Sequence, residues 1–383
     1  MIEAIVVTVW LVPMVLMTMA VVGYMRARTR RLGDPPTLLI IQVTTIGSHS
    51  TVNRIIDTIR GCELADIPYQ IWIVTEPGSG DGYVGADRVV VVPAAFVCKA
   101  QFKARALEYT RRIRATEGIV GQDVKILFID DDSTPTESYI RKSALLDADI
   151  CEGVVVPRTD YGRFLSHLDD LRTLNCLFFC SIFQGFGHPI EVHGEGMCVR
   201  ASAEHLVTWN YPIFASEDLV FGHMAAAKGL RWAFFHDWVT ISSPWTWKDH
   251  IRQRRRWLWG NLWAVRHVLP VRSKIMLTAK YLFGFSTFFL AVTGIILKWC
   301  RLLAIPDALL PLLYASFGLW IIGFAGSGWI NSGGRLRPTI GAVILAYVTS
   351  GTLILVLLIT LFQGNPRTFE VIAKERPAGV GAE

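Results

Sequence analysis

Charge is scarce in this chain of 383 residues. Asp, Glu, Lys and Arg make up 18% of it and hydrophobic residues 52%. That balance excludes an ordinary soluble domain of this size and places part of the sequence in lipid. Cysteine is sparse too. The seven, Cys62, Cys98, Cys151, Cys176, Cys180, Cys198 and Cys300, form no CxxC pair and no regular framework. An odd, scattered set neither staples a fold nor builds a zinc site, so they read as reduced thiols. No internal repeat or low-complexity tract occurs, which excludes a repeat array. Ionisable residues are nearly missing from the longest apolar runs, which argues against a transporter, since intramembrane charges mark substrate paths.

The apolar residues gather at the two ends. Ile2–Tyr24 is followed at once by Arg26, Arg28, Arg30 and Arg31. A secretory signal would carry its positive charge before the apolar run, whereas here Glu3 precedes it, so residues 1–25 read as a membrane anchor. By the positive-inside rule, Arg26 onward is then cytoplasmic. Tyr281–Trp299, Leu309–Ile330 and Ile340–Phe362 each approach the roughly 20 apolar residues that cross a bilayer. The expected organisation is an anchor (1–25), a cytoplasmic catalytic domain (35–260), an interfacial amphipathic segment (261–280), about three transmembrane helices (281–363) and a tail (364–383). Three crossings after a cytoplasmic domain put the tail outside, although its Arg367, Lys374 and Arg376 suit the cytoplasm, so one of these spans is re-entrant or miscounted. The net charge of +6 points to anionic lipid headgroups and a phosphate-bearing ligand ahead of nucleic acid.

The central region alternates strands and helices: Leu38–Val43, Gln70–Val74, Arg88–Val92 and Lys125–Ile129 as strands, Val52–Ile59 and Lys99–Arg114 as helices. Fully apolar strands joined by helices indicate an α/β fold with a parallel sheet covered on both faces. Ligands bind beyond the carboxyl ends of such strands. This directs attention to Thr44 and Thr45 after the first strand, Glu76 after the second, and Asp130, Asp131 and Asp132 after the last.

Each of three polar spots has two readings. Asp130–Asp132 would repel one another unless compensated, and Mg²⁺ or Mn²⁺ bridging to a substrate diphosphate is a natural compensation; the same residues, with Ser133, Thr134 and Pro135, also make an acidic turn. Asp218, with Glu217 before an apolar helix over Leu219–Ala227, is either a helix cap or a general base. The run Gln253-Arg254-Arg255-Arg256-Trp257 is either a headgroup anchor or a diphosphate clamp. Six of the thirteen tryptophans lie between Trp238 and Trp263, either as an interfacial belt or as sugar-facing rings.

Taken together, the aspartates at a strand end, the Glu-Asp element and the Gln-x-x-Arg-Trp element resemble family 2 glycosyltransferases of GT-A (Rossmann-like) fold in order and spacing. Val43-Thr44-Thr45-Ile46-Gly47, the helix from Lys103 to Tyr109, and His193-Gly194 further resemble the Egghead-type branch of membrane β-1,4-mannosyltransferases. The resemblance covers roughly Thr37–Trp263. It departs at Asp130-Asp131-Asp132, where that branch carries Asp-Glu-Glu and the wider family is closer.

The resemblance implies an inverting transfer from a nucleotide-sugar, GDP-mannose first, to a lipid-linked or glycolipid acceptor at the membrane. Asp218 would be the base with Glu217 beside it, and Asp132 with Asp130 would hold Mg²⁺ or Mn²⁺. Asp130 is also expected at the ribose, Glu76 at the nucleobase, Thr44, Lys103, Gln253 and Arg256 around the nucleotide. Trp257, His193, Gly194 and Glu195 fall on the acceptor side. His193 and Glu76 also have plain structural readings, a satisfied histidine and a solvent-facing turn residue. The rivals are a processive polysaccharide synthase of the same family using a UDP-sugar, and a non-catalytic nucleotide-sugar-binding membrane protein.

Overall fold

The structure, a computed structural model, describes residues 32–121, 123–159, 161–284 and 286–364, with isolated positions between 11 and 26. The anchor expected over 1–25 lies largely outside the described residues, and the tail expected over 364–383 does so from residue 365.

The continuous apolar runs form strands as expected: β1 (Leu38–Thr44), β2 (Tyr69–Thr75), β3 (Arg88–Val91) and β4 (Val124–Asp130). They lie parallel in the order β3-β2-β1-β4. Alternate side chains serve two cores. Leu39, Ile41 and Val43 face one core with Val52, Ile55, Ile56 and Ile59 of the helix His49–Arg60. Ile40, Trp72 and Ile126 face the other with Ala106 and Leu107 of the helix Phe102–Thr116. This helix begins three residues later than the apolar spacing suggests, because Lys99 and Gln101 donate their backbone N–H groups to Asn210 and Ile213 across a loop.

The parallel expectation describes half the sheet. Beyond β4 come β5 (Ser133–Pro135), β6 (Ile150–Thr159), β7 (Cys198–Arg200) and β8 (Trp232–Ser242), extending the order as β4-β7-β6-β8-β5. β7 runs antiparallel to both β4 and β6, and β5 antiparallel to β8. The sheet is therefore mixed, in keeping with the GT-A class. The antiparallel β7 has a direct consequence for the site: the segment entering it is drawn beside the carboxyl end of β4, with Gly196 N–H donating to Phe128 O (2.8 Å).

The boundary expected at 260 falls inside a 21-residue helix, Trp247–His267, which leads to a second helix, Val271–Phe283. The span expected over Tyr281–Trp299 is interrupted at Gly284, leaving a helix of 14 residues, Ser286–Trp299. At 1.5 Å per residue it covers about 21 Å, short of a roughly 30 Å hydrocarbon layer. Among the described residues two helices are long and apolar enough to cross a membrane, Asp307–Asn331 and Leu336–Gln363. They pack closely where Gly328 faces Ala342 and Thr339, with no room for a Cβ. The second also lies along the domain that holds the sheet: Thr349 reaches His167 O, and at its far end Gly364 O accepts from Arg255 (2.9 Å).

Candidate active site

Pairing of β1 with β4 sets Thr44 opposite Asp130, so the polar residues after both strands emerge at one edge. Asp130 pairs with Lys103, projected from the helix Phe102–Thr116. Lys103 also lies 3.3 Å from Glu217 Oε1, so one ammonium bridges the strand-end acid and the Glu-Asp element, residues 87 positions apart in sequence. Burial opposes this charge, but Asp130, Glu217 and Asp218 outweigh it and raise Lys103 well above its ordinary value.

Asp218 is the second residue of the helix Glu217–Ala227, entered through Ser216 in the left-handed region (φ 59°). A non-glycine residue there is uncommon and recurs at functional sites. Ser216 donates to Trp257 O (3.3 Å), and Gly260 makes room for it, since a Cβ would fall 2.5 Å from its Oγ. The Glu-Asp helix and the Gln253–Trp257 segment are thereby locked together. Asp218 Oδ2 accepts from Gly194 N–H (2.7 Å) and Oδ1 from Leu219 N–H (2.8 Å). Burial, then the charge of Glu217, pushes the Asp218 carboxyl up to about 7. Burial would also raise Glu195, but Arg172 at 2.5 Å, with His193 and Lys103, holds it down at about 2. Neighbouring acids driven apart in this way take different roles: Glu195 stays ionised, while Asp218 can exchange a proton near neutral pH.

These groups line one cavity of about 310 Å³. Of the residues expected from sequence, it brings together Lys103, Asp130, His193, Glu195, Glu217, Asp218, Arg256 and Trp257. Four acids, Glu217, Asp130, Asp132 and Glu195, act on Arg256 and oppose the effect of its burial. The far wall is apolar, built by Leu353, Ile354, Val356 and Leu357 of the helix Leu336–Gln363.

Others stand off the cavity wall. Glu76 accepts from Arg105 Nη1 (3.2 Å), Thr44 Oγ1 from Gln42 at 3.4 Å, and Gln253 is buried. Asp132 accepts from Ser133 Oγ (3.2 Å), and Asp131 accepts from Thr45 Oγ1 (2.9 Å), fixing the turn. Trp257 is engaged by two guanidinium groups, Arg172 and Arg254, at 5.0 and 4.8 Å from its ring centre. Sequence reasoning overlooked Arg172. A signal existed: an arginine between Leu171 and Leu174 in an apolar stretch needs an acidic partner if buried, and here that partner is Glu195.

Hard carboxylate oxygens on Asp130 and Asp132, side by side at a strand end, are the donor set Mg²⁺ or Mn²⁺ prefers. Asp130 also serves Lys103, so a cation there would share this carboxylate with an ammonium.

The cavity thus joins acids at one edge of a mixed sheet to Arg254 and Arg256 of the helix Trp247–His267. Residues 125–362 match the model of Glycosyl transferase family group 2, and the chain belongs to that family. Its relatives include the β-1,4-mannosyltransferase egh of Drosophila melanogaster, 27% identical over 50% of this chain and 44% of that protein. Another is the β-1,4-mannosyltransferase bre-3 of Caenorhabditis elegans, 28% identical over 58% and 50%. The chain thus spans about half the length of these curated relatives or less. Structures that align with it include a mannosyltransferase from Pyrobaculum calidifontis in complex with GDP-Man and Mn²⁺ (13% identity, 95% of this chain and 100% of that one, TM-score 0.44). S. aureus TarS 1–349 with UDP-GlcNAc also aligns (10%, 89% and 98%, TM-score 0.38).

Proposed function

We propose that the protein transfers a hexosyl group, mannosyl first, from a nucleoside diphosphate sugar to a lipid-linked acceptor, with inversion to a β-linkage. The observation that carries this reading is the composition of the cavity. A carboxyl poised near neutral pH and a cluster of cations meet there against a wall of leucine, isoleucine and valine from a helix long enough to span a membrane. A charged donor suits the first part and an acceptor with a hydrocarbon portion the second. Mannose follows from the relatives' activity. Glu76 at the end of β2, steadied by Arg105, is an acceptor for the N1–H and 2-amino groups of guanine.

In the proposed reaction the acceptor hydroxyl attacks the anomeric carbon as the bond from that carbon to the diphosphate breaks. Asp218 Oδ2 takes the hydroxyl proton while Gly194 N–H holds the carboxylate in place, and the leaving electron pair goes to the diphosphate oxygen. A divalent cation held by Asp132 and Asp130 would supply charge neutralisation for that leaving group. Arg256 grips phosphate oxygens, Lys103 holds Asp130 and Glu217 in place, and Glu195 holds Arg172 against Trp257, whose remaining surface meets the acceptor sugar beside His193 and Gly194.

A screen of nucleotide-sugars against the purified protein, read as GDP or UDP release with and without lipid acceptor, tests the reading. Release of GDP from GDP-mannose coupled to a single β-linked addition is expected. A ladder of oligomers from a UDP-sugar would replace it with a processive synthase, and nucleotide binding without turnover would replace it with a binding module. The kcat/KM profile should fall as pH drops through about 7, where Asp218 takes up its proton. Glu217→Gln removes a charge that raises Asp218, so its acid limb should shift to lower pH; an unmoved limb would assign that limb to another group. Arg256→Lys should lower turnover by about tenfold to a hundredfold, the value of roughly 1.5–3 kcal/mol of charge-assisted hydrogen bonding. Parental turnover in that variant would make the arginine run a membrane anchor.

A further inference from the structure

Behind the catalytic cavity the helix Asp170–Asn175 passes into a π-helical turn, Cys176–Cys180. Residues four apart share one face of a helical turn, and π turns recur at functional sites. Cys176 and Cys180 accordingly project together toward His193, and their sulfurs lie 3.2 and 3.3 Å from its Nε2. All three ligand atoms fall within 4.8 Å of one another, and all three residues are buried. The sequence expectation of unconnected thiols is revised by this meeting, which joins residues 13 and 17 positions from His193.

Two reduced thiols beside an imidazole do not exhaust the bonding. Neutral Nε2 has one lone pair, so it accepts fully from one S–H at most, and the other sulfur contacts are long: Val155 N–H donates to Cys176 Sγ at 3.4 Å and Cys180 Sγ lies 3.9 Å from Glu191 O. A thiophilic ion satisfies all three atoms at once. With Zn–S near 2.3 Å and Zn–N near 2.0–2.1 Å, tetrahedral bonding sets sulfur and nitrogen about 3.5 Å apart, an outward adjustment of only a few tenths of an ångström. We propose that Cys176, Cys180 and His193 form a binding site for a soft, tetrahedral metal ion of the zinc class, separate from the carboxylates at the end of β4. On binding, the two thiols lose their protons to solvent and the thiolates with the neutral imidazole donate to the ion; no redox change is involved. The softness of the donors separates the two sites, since Mg²⁺ and Mn²⁺ prefer carboxylate oxygens. The site clips the π turn to the loop that ends in Gly194, the residue holding Asp218, so its role is structural support of that loop. The proposal stands on the three ligands and does not depend on Asp218 being the base.

The test uses the full chain purified under reducing conditions. After dialysis against excess Mn²⁺, a stoichiometric zinc ion should remain by elemental analysis. Cobalt exchanged for it should give thiolate-to-metal absorption in the near ultraviolet. Asp132→Ala should keep both signals, and Cys176→Ser with Cys180→Ser should lose both. In unaltered protein, stripping with a strong chelator should speed alkylation of Cys176 and Cys180 by about tenfold or more, read by peptide mapping, and zinc alone should restore protection. This last readout needs no variant to fold. Absence of the cobalt band, zinc retention by the double serine variant, or alkylation unaffected by zinc would each overturn the site.

Discussion

Asp218→Asn is expected to bind nucleotide-sugar as the parent does while transfer falls by about 10²–10⁴-fold, the range typical of a lost acid–base group. Asparagine keeps the size of the side chain, and its carbonyl oxygen can still accept from Gly194 N–H, but it cannot take a proton from the acceptor. The competing role is capping of the helix Glu217–Ala227. Position argues against it, since the cap residue is Ser216, in left-handed geometry with no side-chain cap bond. Asp218 does accept from Leu219 N–H, and asparagine is as good a cap as aspartate, so a capping role predicts parental turnover. Calorimetric donor binding beside turnover separates the two, and full activity in the variant would remove Asp218 from the chemistry.

Removal of divalent cation should bring turnover to background, with Mn²⁺ or Mg²⁺ restoring it. Asp130, Glu195, Glu217 and Asp218 line the cavity a diphosphate must enter. The cations there already face acids of the protein: Lys103 with Asp130 and Glu217, Arg172 with Glu195, Arg254 with Asp169, Lys280 with Glu191, and Arg256 among Glu217, Asp130, Asp132 and Glu195. The diphosphate therefore needs further positive charge. If Asp132 is a ligand as proposed, Asp132→Ala should raise the Mn²⁺ concentration needed for half-maximal rate by about tenfold or more, at least the loss typical of an outer-shell partner. Asp131→Ala should do less, because Asp131 is spent on Thr45. Full activity in excess chelator would mean that Lys103 and the arginines alone carry the leaving group.

The parallel half of the fold was legible because its strands are uninterrupted apolar runs, and β4 ends where Asp130 begins. Asp130, Glu217, Asp218 and Arg256 were legible as candidates through the spacing of three motifs, and Lys103 through its place on a basic helix. The remainder depends on contacts between distant segments. Nothing local indicates that β7 runs antiparallel to β4, yet this brings Glu195 to the site. Gln253–Trp257 looks like a domain edge in sequence because the apolar region follows, whereas the helix continues to His267, with Gly260 fitted against Ser216. Cys176 and Cys180 stand four apart, a spacing that shares one face of a helix, but nothing local shows that His193 meets them there. The span expected from Tyr281 fails at Gly284, a break that mean hydropathy does not register.

The contact between Gly194 and Asp218 uses a peptide N–H, and this shapes how the site can vary. A carboxylate steadied by a partner's side chain loses its support to a single substitution that shortens that partner. Here no replacement at position 194 other than proline deletes the donor, and the vulnerability lies in added bulk: a Cβ would sit 3.0 Å from Lys103 Nζ and 3.3 Å from Asp218 Oδ2. Scanning by truncation passes over this residue because glycine has nothing to truncate. Gly194→Ala, the smallest enlargement, is the substitution that exposes it, and it presses on the acid and the lysine together.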